Sequence, residues 1–258
     1  MAAIKVITYN LNGLRAALSK GFTQWLASAD YDVVMIQETK AQKEQVDMSA
    51  IEALGYHHYW FSAEKKGYSG VCTLTRILPE KVVYGSNDAL FDAEGRTLQL
   101  QIADVNFINC YFPSGSSGDA RQEMKMVFLQ KMISFIEEKR RENPRIVLSG
   151  DFNICHRSID IHDPVGNKNT SGFLPEERAW MEQFFQSGFR DAFRQFNQEP
   201  HQYTWWSQRF PSVREQNKGW RIDYNTITDN LSGRLIHSAI LPEAKHSDHC
   251  PVFMELDL

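Results

Sequence analysis

The sequence predicts an α/β fold of the α+β type, in which two mixed β-sheets pack face to face with helices outside them. Three observations lead to this fold class. Short apolar segments alternate with longer amphipathic segments along the chain. The second half repeats this alternation, so two packed sheets are favoured over one. No Pro-, Gly- or Ser-rich linker divides the sequence, and we expect a single domain over residues 1–258.

Eight short apolar segments are predicted strands because β-branched and aromatic side chains are frequent in them. They read IKVITYN at 4–10, VVMIQE at 33–38, SGVCTLTR at 69–76, TLQLQIAD at 97–104, VNFINCYFP at 105–113, RIVLSGDF at 145–152, IDYNTIT at 222–228 and CPVFMELDL at 250–258. The fourth and fifth are joined closely enough to form an antiparallel hairpin.

Three longer segments have the apolar spacing of helices. They are LRAALSKGFTQWLASA at 14–29, residues 120–143, and PEERAWMEQFFQSG at 175–188. In the second, Met124, Phe128, Met132 and Phe135 recur every three or four residues, and Pro144 ends the helix.

Composition restricts the class of protein. A net charge of −4 excludes a uniformly basic surface, although a local basic patch could still meet a polyanion. The apolar runs are far shorter than the roughly 20 residues that span a membrane, and MAAIKVITYN lacks the pattern of a secretion signal. The four cysteines are widely spaced without a CxxC pair, which argues against a zinc cluster or a disulfide framework. We therefore expect a cytoplasmic protein with no membrane partner.

Polar side chains stand where the predicted strands end or begin. They are Asn10, Asn12, Glu38, Tyr111, Asp151, Asn153, Asp223, Asp248 and His249. Taken singly, each is more typical of a turn, a cap or a packed side chain. Because strand ends on one rim of a sheet converge, their repetition predicts that they line a single cleft.

The donor types in this set indicate a magnesium site. Glu38 and Asp248 offer hard oxygen ligands, and Asn10 or Asn12 adds an amide oxygen. Mg²⁺ typically takes one or two carboxylates together with water and substrate phosphate. No cysteine or multi-histidine set in the sequence competes for a softer metal such as zinc.

The other residues of the set suit hydrolysis. Asp151 with Asn153 could orient a water molecule. His249 with Asp223 could form a carboxylate-held imidazole directed at a phosphoryl oxygen. Such groups serve phosphodiester hydrolysis by in-line attack on a metal-clamped phosphate.

Six motifs connect the chain to a known family. NLNGLRAA, QETK, YFPSG, GDFNICH, GWRIDY and SDHCP occur in the order and spacing of the exonuclease III family of apurinic/apyrimidinic endonucleases. The chain resembles this family from about Ile4 to Leu256. The resemblance implies the four-layered α/β sandwich of the endonuclease/exonuclease/phosphatase superfamily. It also implies a Mg²⁺-dependent DNA-repair enzyme that cuts 5′ to abasic sites, with 3′-phosphodiesterase and 3′–5′ exonuclease activity as further activities.

The same resemblance implies which residues surround the metal. Glu38 matches the principal ligand of Mg²⁺, for which Mn²⁺ is an alternative ion. The other positions implied at the metal are Asn10, Asn12, Asp151, Asn153 and Asp248.

Catalytic roles are likewise implied by the resemblance. Asp151 matches the residue that orients or deprotonates the attacking water, and Asn153 matches the residue that holds that water or the phosphate. Tyr111 matches the active-site tyrosine assigned to leaving-group protonation. His249 matches the phosphate-contacting histidine, and Asp223 matches the acid that fixes its tautomer and charge.

The implied partner is double-stranded DNA with an abasic site or a blocked 3′ end, bound by a monomer that associates with the nucleoid through DNA. Trp205, Trp220 and Ile222 stand where the family builds an apolar pocket for the flipped, base-free sugar. For Trp206 plain core packing is an equal alternative. The loops that carry Arg15, Lys20, Lys65, Lys66, Tyr68 and Lys168 are expected to hold the DNA backbone, although any single lysine is more typical of a solvated side chain. Ser114 is the implied phosphate contact. Loops 114–118, 167–172 and 208–218 are expected to shape this cleft.

The sequence departs from the family pattern at three places. Asn12 stands where many relatives carry an aspartate, and Ser114 stands where an asparagine is commoner. Asn225 and Thr226 follow Asp223 where apolar residues are usual.

Two other functions are compatible with the sequence. The chain also resembles the catabolite repression control-like proteins, non-catalytic regulators of the same fold that associate with nucleic acid. Glu38, Asp151 and Asn153 are all retained here, which favours an enzyme. A phosphatase or sphingomyelinase of the same superfamily would share the metal and histidine chemistry but not the NGLRAA and GWRIDY motifs.

Overall fold

A computed structural model describes residues 3–208 and 212–258 of the chain. Within these ranges, strands form two six-stranded sheets. The first sheet has the order β11 (Leu235–Ile240), β12 (Val252–Asp257), β1 (Ala3–Asn10), β2 (Val33–Gln37), β4 (Val71–Thr75) and β3 (His57–Phe61). The second has the order β5 (Lys81–Tyr84), β6 (Thr97–Ile102), β7 (Val105–Tyr111), β8 (Ile146–Asp151), β10 (Asp223–Thr228) and β9 (Phe189–Asp191).

The two sheets share one apolar interior, in which Val6 and Met35 of the first sheet belong to the same buried cluster as Leu100 and Phe107 of the second. Helices cover the outer sides. Helices α1 (Leu14–Ser19) and α2 (Phe22–Ala27) pack on the first sheet, and α5 (Asp119–Glu142) and α6 (Pro175–Gln186) pack on the second. The described chain therefore has four layers, and the predicted fold class is confirmed.

Shorter helices complete the described structure: α3 (Ser49–Glu52), α4 (Ala89–Asp92), α7 (Ala192–Phe196) and α8 (Ser212–Glu215). Among the residues described, none of the helices is both long enough and apolar enough to cross a membrane.

Each sheet contains one parallel pair of strands at its centre, β1 with β2 and β7 with β8. An antiparallel strand lies beside each pair, β12 next to β1 and β10 next to β8. The carboxyl ends of the parallel strands and the amino ends of β10 and β12 consequently lie on one rim. This is the rim on which the predicted polar residues stand.

The structure differs from the sequence prediction in the first helix and in the edge strands. Residues 14–29 form two helices rather than one, because the chain turns at Gly21, whose φ of +87° ends the first helix. In addition, β3, β5, β9 and β11 were not predicted. All four are edge strands, and their side chains are buried on fewer sides than those of the central strands, so the apolar signal is weaker.

A buried carboxylate, Asp160, holds the loop after β8 against the segment before β10. Its Oδ1 accepts a hydrogen bond from Arg221 Nε at 2.7 Å and also pairs with Arg194. Its carbonyl oxygen accepts from the Arg221 backbone N–H at 2.7 Å. Burial opposes the charge on Asp160, but Arg221 and Arg194 outweigh it and lower the pKa of this carboxyl to about 2.

The Asp160→Asn variant should lower the free energy of unfolding by about 3–5 kcal/mol, because Arg194 loses its paired carboxylate and the buried Arg221 keeps only Asp191 as a charged partner. Urea denaturation at neutral pH measures this change. Asp229→Asn is the control, since Asp229 pairs with Arg190 at the surface and the exposed pair should contribute less than about 1 kcal/mol. Equal, small effects in both variants would contradict the assignment.

The stabilisation by Asp160 should also depend on pH. Its folded pKa of about 2 lies below the unfolded value of about 3.9. The contribution is therefore fully present above pH ~4 and is lost as the pH falls towards ~2. The stability difference between wild type and Asp160→Asn should shrink over that range.

Candidate active site

The rim brings the ends of strands from both sheets together. Asp151 ends β8 and lies opposite Tyr111, the last residue of β7, and opposite Asp223, the first residue of β10. From the other sheet, Asn10 at the end of β1 reaches the same place, because its Nδ2 donates to Asp151 Oδ2 at 2.8 Å. The site is therefore formed where the two sheets meet.

Asn10 is the centre of this hydrogen-bond network, and it is fully buried. Its Nδ2 also donates to Glu38 Oε1 at 2.8 Å, and its Oδ1 accepts from the backbone N–H of Asn12 at 2.9 Å. One amide therefore fixes the carboxylates of Glu38 and Asp151 relative to each other.

Left-handed backbone is concentrated around these residues. Asn12, Glu38, Lys40 and Asn153 have φ angles of 48°, 53°, 48° and 53°. Residues other than glycine adopt this region rarely, at a cost on the order of 1–3 kcal/mol each. The surrounding contacts must therefore hold these side chains in their orientations, and such strain is frequent at functional sites.

Gly150 explains why the motif around Asp151 begins with glycine. Its φ is +153°, and a Cβ at this position would lie 1.7 Å from the carbonyl oxygen of Cys110 on β7. The close approach of β8 to β7 sets the direction in which Asp151 leaves the strand. Asn153 follows in a turn, where its N–H donates to Asp151 Oδ1 at 2.8 Å and its Nδ2 donates to the carbonyl of Phe112 at 3.0 Å.

A group of ligand atoms suited to a metal ion lies on this rim. Glu38, Asp151 and His249 each offer one such atom, and these atoms lie within 4.8 Å of one another. Burial, Asp223 and Glu38 raise the pKa of Asp151 to about 8, although His249 and Asn10 oppose the rise. Carboxylates so crowded and buried fit a bound cation, which would let them all ionise.

Asp248 lies outside that group of three, and its oxygens are used by neighbours. Oδ1 accepts from Asn12 Nδ2 at 2.9 Å and from Ser247 Oγ at 3.1 Å, and Oδ2 accepts from Trp205 Nε1 at 3.1 Å. Asp248 thus connects the candidate metal site to the wall of the cleft.

His249 and Asp223 form a buried pair, in which Nδ1 of the imidazole lies 2.9 Å from Asp223 Oδ2. Burial disfavours the imidazolium, but Asp223, assisted by Asp151 and Asp248, raises the pKa of His249 to about 10. A positive imidazole is therefore held beside the carboxylates at neutral pH.

Tyr111 is buried at the same rim, and its ring packs on the guanidinium of Arg96, whose Cζ lies 4.7 Å from the ring centre. Arg96 Nη1 also donates to the Tyr111 carbonyl at 2.9 Å. Burial and the nearby Glu38 carboxylate raise the pKa of the phenol well above its ordinary value. Tyr111 is therefore a protonated hydrogen-bond donor.

These groups form one end of a cleft of about 620 Å³. Its apolar wall consists of Trp205, Trp220 and Ile222, and the two indole rings meet edge to face at 6.0 Å. Ser114 also lines this cleft. Trp206, in contrast, is 5% exposed and packs in the core.

Arg15 and the loop at 208–218 were expected at this cleft, whereas Lys40 was not. Arg15 is exposed on α1 and is not among the residues that line the cleft. Of the loop at 208–218, residues 209–211 lie outside the described residues. Lys40 was missed: its Nζ lies 2.7 Å from Glu38 Oε2 and also contacts Asn12 Oδ1. The signal was the lysine two positions after Glu38 in QETK.

The chain is similar to a known protein family and to several known proteins. A model of the "Endonuclease/Exonuclease/phosphatase family" matches residues 7–224. An exodeoxyribonuclease of Bacillus subtilis (strain 168) is 36% identical over 257 residues, which cover 99% of this chain and 100% of that protein. An AP endonuclease structure from Archaeoglobus fulgidus has a TM-score of 0.91 at 26% identity, and the match covers 99% of this chain and 100% of that chain.

A further solved structure is the 3′ phosphatase NExo from Neisseria, bound to a product DNA hairpin. It has a TM-score of 0.90 at 26% identity, and the match covers 99% of this chain and 100% of that chain. The chain is thus similar over nearly its whole length to an exodeoxyribonuclease, an AP endonuclease and a 3′ phosphatase.

The Asp223→Asn variant should lower the pKa of His249 by more than about one unit, because the imidazolium loses its nearest negative charge while remaining buried. NMR titration of the metal-free protein would measure this pKa, which we expect near 10 in the wild type. The Asp229→Asn variant, at the surface, is the control and should leave the His249 midpoint unchanged. An unchanged His249 midpoint in Asp223→Asn would show that Asp223 does not set its charge.

Proposed function

The chain belongs to the endonuclease/exonuclease/phosphatase family, and we propose that it is a Mg²⁺-dependent DNA-repair phosphodiesterase that cuts a duplex on the 5′ side of an abasic site. The family membership and the enzyme class predicted from the sequence are confirmed by full-length similarity to an exodeoxyribonuclease. The observation that carries the proposal is the buried Asn10–Glu38–Asp151 network facing His249 in one cleft.

The family is one of metal-dependent nucleases, and the oxygen donors here favour Mg²⁺, with Mn²⁺ as the alternative ion. Glu38 and Asp151 would hold it, with Asn10 fixing both carboxylates and with Asn12, Asn153 and Asp248 close by. When bound, the metal would polarise a phosphoryl oxygen and neutralise charge that develops on it. Glu38 stays ionised. Burial raises the pKa of its carboxyl, but Lys40 and Asn10 together lower it by more.

The chain's own groups suit in-line hydrolysis. The Asn153 N–H donates to Asp151 at the end of β8; both side chains would orient a water, and the Asp151 carboxylate would accept its proton. The positive His249 would stabilise charge on the non-bridging phosphate oxygens. Tyr111, which remains protonated, would donate to the phosphate or to the leaving oxygen.

An abasic substrate is supported by the cleft wall. Trp205, Trp220 and Ile222 offer apolar and aromatic surface beside the polar end of the cleft. A base-free sugar that leaves the helix could enter such a pocket, whereas a normal nucleotide would first have to unstack and unpair its base. A blocked 3′ end or a 3′ terminus could reach the same phosphate position, so 3′-phosphodiesterase and 3′–5′ exonuclease activity belong to the proposal. We take residues 1–258 as one catalytic domain acting as a monomer.

A duplex with one central abasic analogue, labelled at its 5′ end, tests the proposal. With Mg²⁺ we expect a single incision on the 5′ side of the analogue, and with EDTA we expect none, because the carboxylate site would then lack its cation. A ladder of shorter products would add exonuclease activity. Binding of the duplex without cleavage at any Mg²⁺ or Mn²⁺ concentration would instead support a non-catalytic regulator.

The Asp151→Asn variant should incise this duplex about 10²–10⁴-fold more slowly, because the group that accepts the proton of water is removed. Single-turnover rates at saturating enzyme measure the effect. Asp229→Asn, at the surface, is the control for a change of one carboxylate and should leave the rate unaltered. If Asp151→Asn stays within about tenfold of wild type, Asp151 does not activate the water.

A further inference from the structure

We propose that Lys125 and Glu177, a buried ion pair outside the cleft, are positioning residues that fix the backbone of Asn153 relative to the apolar wall of the cleft. The inference rests on the proposed function, because it assigns these residues to the same reaction. Neither side chain lines the cleft, and in the sequence both are ordinary charged residues within predicted helices.

The pair links three parts of the chain. Lys125 on α5 and Glu177 on α6 both have 0% exposed side chains and form an ion pair. Lys125 Nζ also donates to the carbonyl oxygen of Asn153 at 2.9 Å. Glu177 Oε2 accepts from the backbone N–H of Gly172 at 2.6 Å and of Leu174 at 3.0 Å. One ion pair therefore joins the turn after β8 to the cleft wall.

Packing of α5 against α6 does not by itself require this pair. Two buried charges usually stabilise a protein no better than apolar side chains of the same size. The contact to Leu174 is an ordinary helix cap, which a neutral glutamine could also supply. The contacts to Asn153 and Gly172 have a different role from the cap, because they satisfy backbone groups of the segments that form the cleft. The charge of Lys125 is used where a catalytic turn needs a donor.

Three polar groups of Asn153 are held by hydrogen bonds: its backbone N–H, its side-chain NH₂ and its carbonyl oxygen. Its N–H donates to Asp151, its side-chain amide donates to Phe112 and Asp151, and its carbonyl accepts from Lys125. Its φ of +53° is strained. Removing Lys125 would release one end of this peptide, and the amide proposed to hold the water would move with it.

Gly172 lies in a narrow space between the turn at Asn153 and the ring of Trp220. A Cβ on Gly172 would lie 3.1 Å from the Asn153 carbonyl oxygen and 3.0 Å from the ring of Trp220. Glu177 holds the Gly172 N–H in this narrow space. The ion pair therefore sets the distance between Asn153, at the proposed water site, and Trp220, in the proposed sugar pocket.

The Lys125→Met variant removes the charge while keeping a long, unbranched side chain. We expect kcat for abasic incision to fall by about 10–10²-fold, because small misplacements of reacting groups have effects of this size. KM should change by less than about threefold, since the groups that contact DNA remain. Glu177→Gln should lower kcat in the same direction and serves as the second variant if Lys125→Met does not fold.

A double-mutant cycle separates positioning from general destabilisation. In an Asn153→Ala background, Lys125→Met should lower kcat by less than about threefold, because its route of action is already removed. Leu100→Ala is the matched control: it destabilises the fully buried inter-sheet core but should leave kcat unaltered. Additive losses in the cycle, or an equal kcat loss in Leu100→Ala, would overturn the inference.

Hydrogen exchange gives a readout that does not require activity. The Gly172 amide should exchange at least about tenfold faster in Lys125→Met than in wild type, because Glu177 then loses the lysine that holds its carboxylate against this N–H, while amides of β1 are unchanged. Unchanged exchange at Gly172 would overturn the inference. A wild-type protein that fails to incise the duplex would overturn the proposed function instead, and an active wild type with full kcat in Lys125→Met would overturn only the positioning role.

Discussion

The hydrogen bond from Asn10 to Asp151 is the interaction on which the site depends, because it crosses from one sheet to the other at 2.8 Å. Each sheet places one parallel pair of strands at its centre, and the ends of both pairs meet at the same rim. A buried amide that donates to two carboxylates, Glu38 and Asp151, leaves little freedom in how the sheets can slide. The packing of the two halves and the geometry of the candidate metal site are therefore one constraint.

Charge balance follows from that constraint. Glu38, Asp151 and Asp223 are drawn together in an interior where ionised carboxylates are costly. The chain compensates with two cations, Lys40 beside Glu38 and His249 beside Asp223. Burial, Asp223 and Glu38 still raise the pKa of Asp151 to about 8, and a divalent cation would favour its ionised form. The carboxylates would attract the metal, and the metal together with the positive His249 would attract the phosphate.

Buried ion pairs outside the cleft fix the loops that form it. Asp160 with Arg221 holds the segment that carries Trp220, and Lys125 with Glu177 holds the turn at Asn153. Both pairs satisfy backbone groups of the loops that they hold. Rigid support of this kind suits a site that must keep reacting groups at fixed distances. It also means that charged residues remote from the cleft contribute to its shape.

The sequence by itself determined the eight central strands and the polar residues at their ends, because strands buried on both faces are apolar throughout, the GDFN motif stands at the end of β8, and the SDH motif stands just before β12. It did not determine the four edge strands, whose side chains lack that signal and whose pairing depends on a neighbour distant in sequence. Only the tertiary structure showed that Arg15 is exposed on α1, that Trp206 is buried, and that Lys125 pairs with Glu177. These outcomes depend on contacts between residues that are far apart in the sequence. The local pattern of a helix or loop does not indicate which distant residue it will contact.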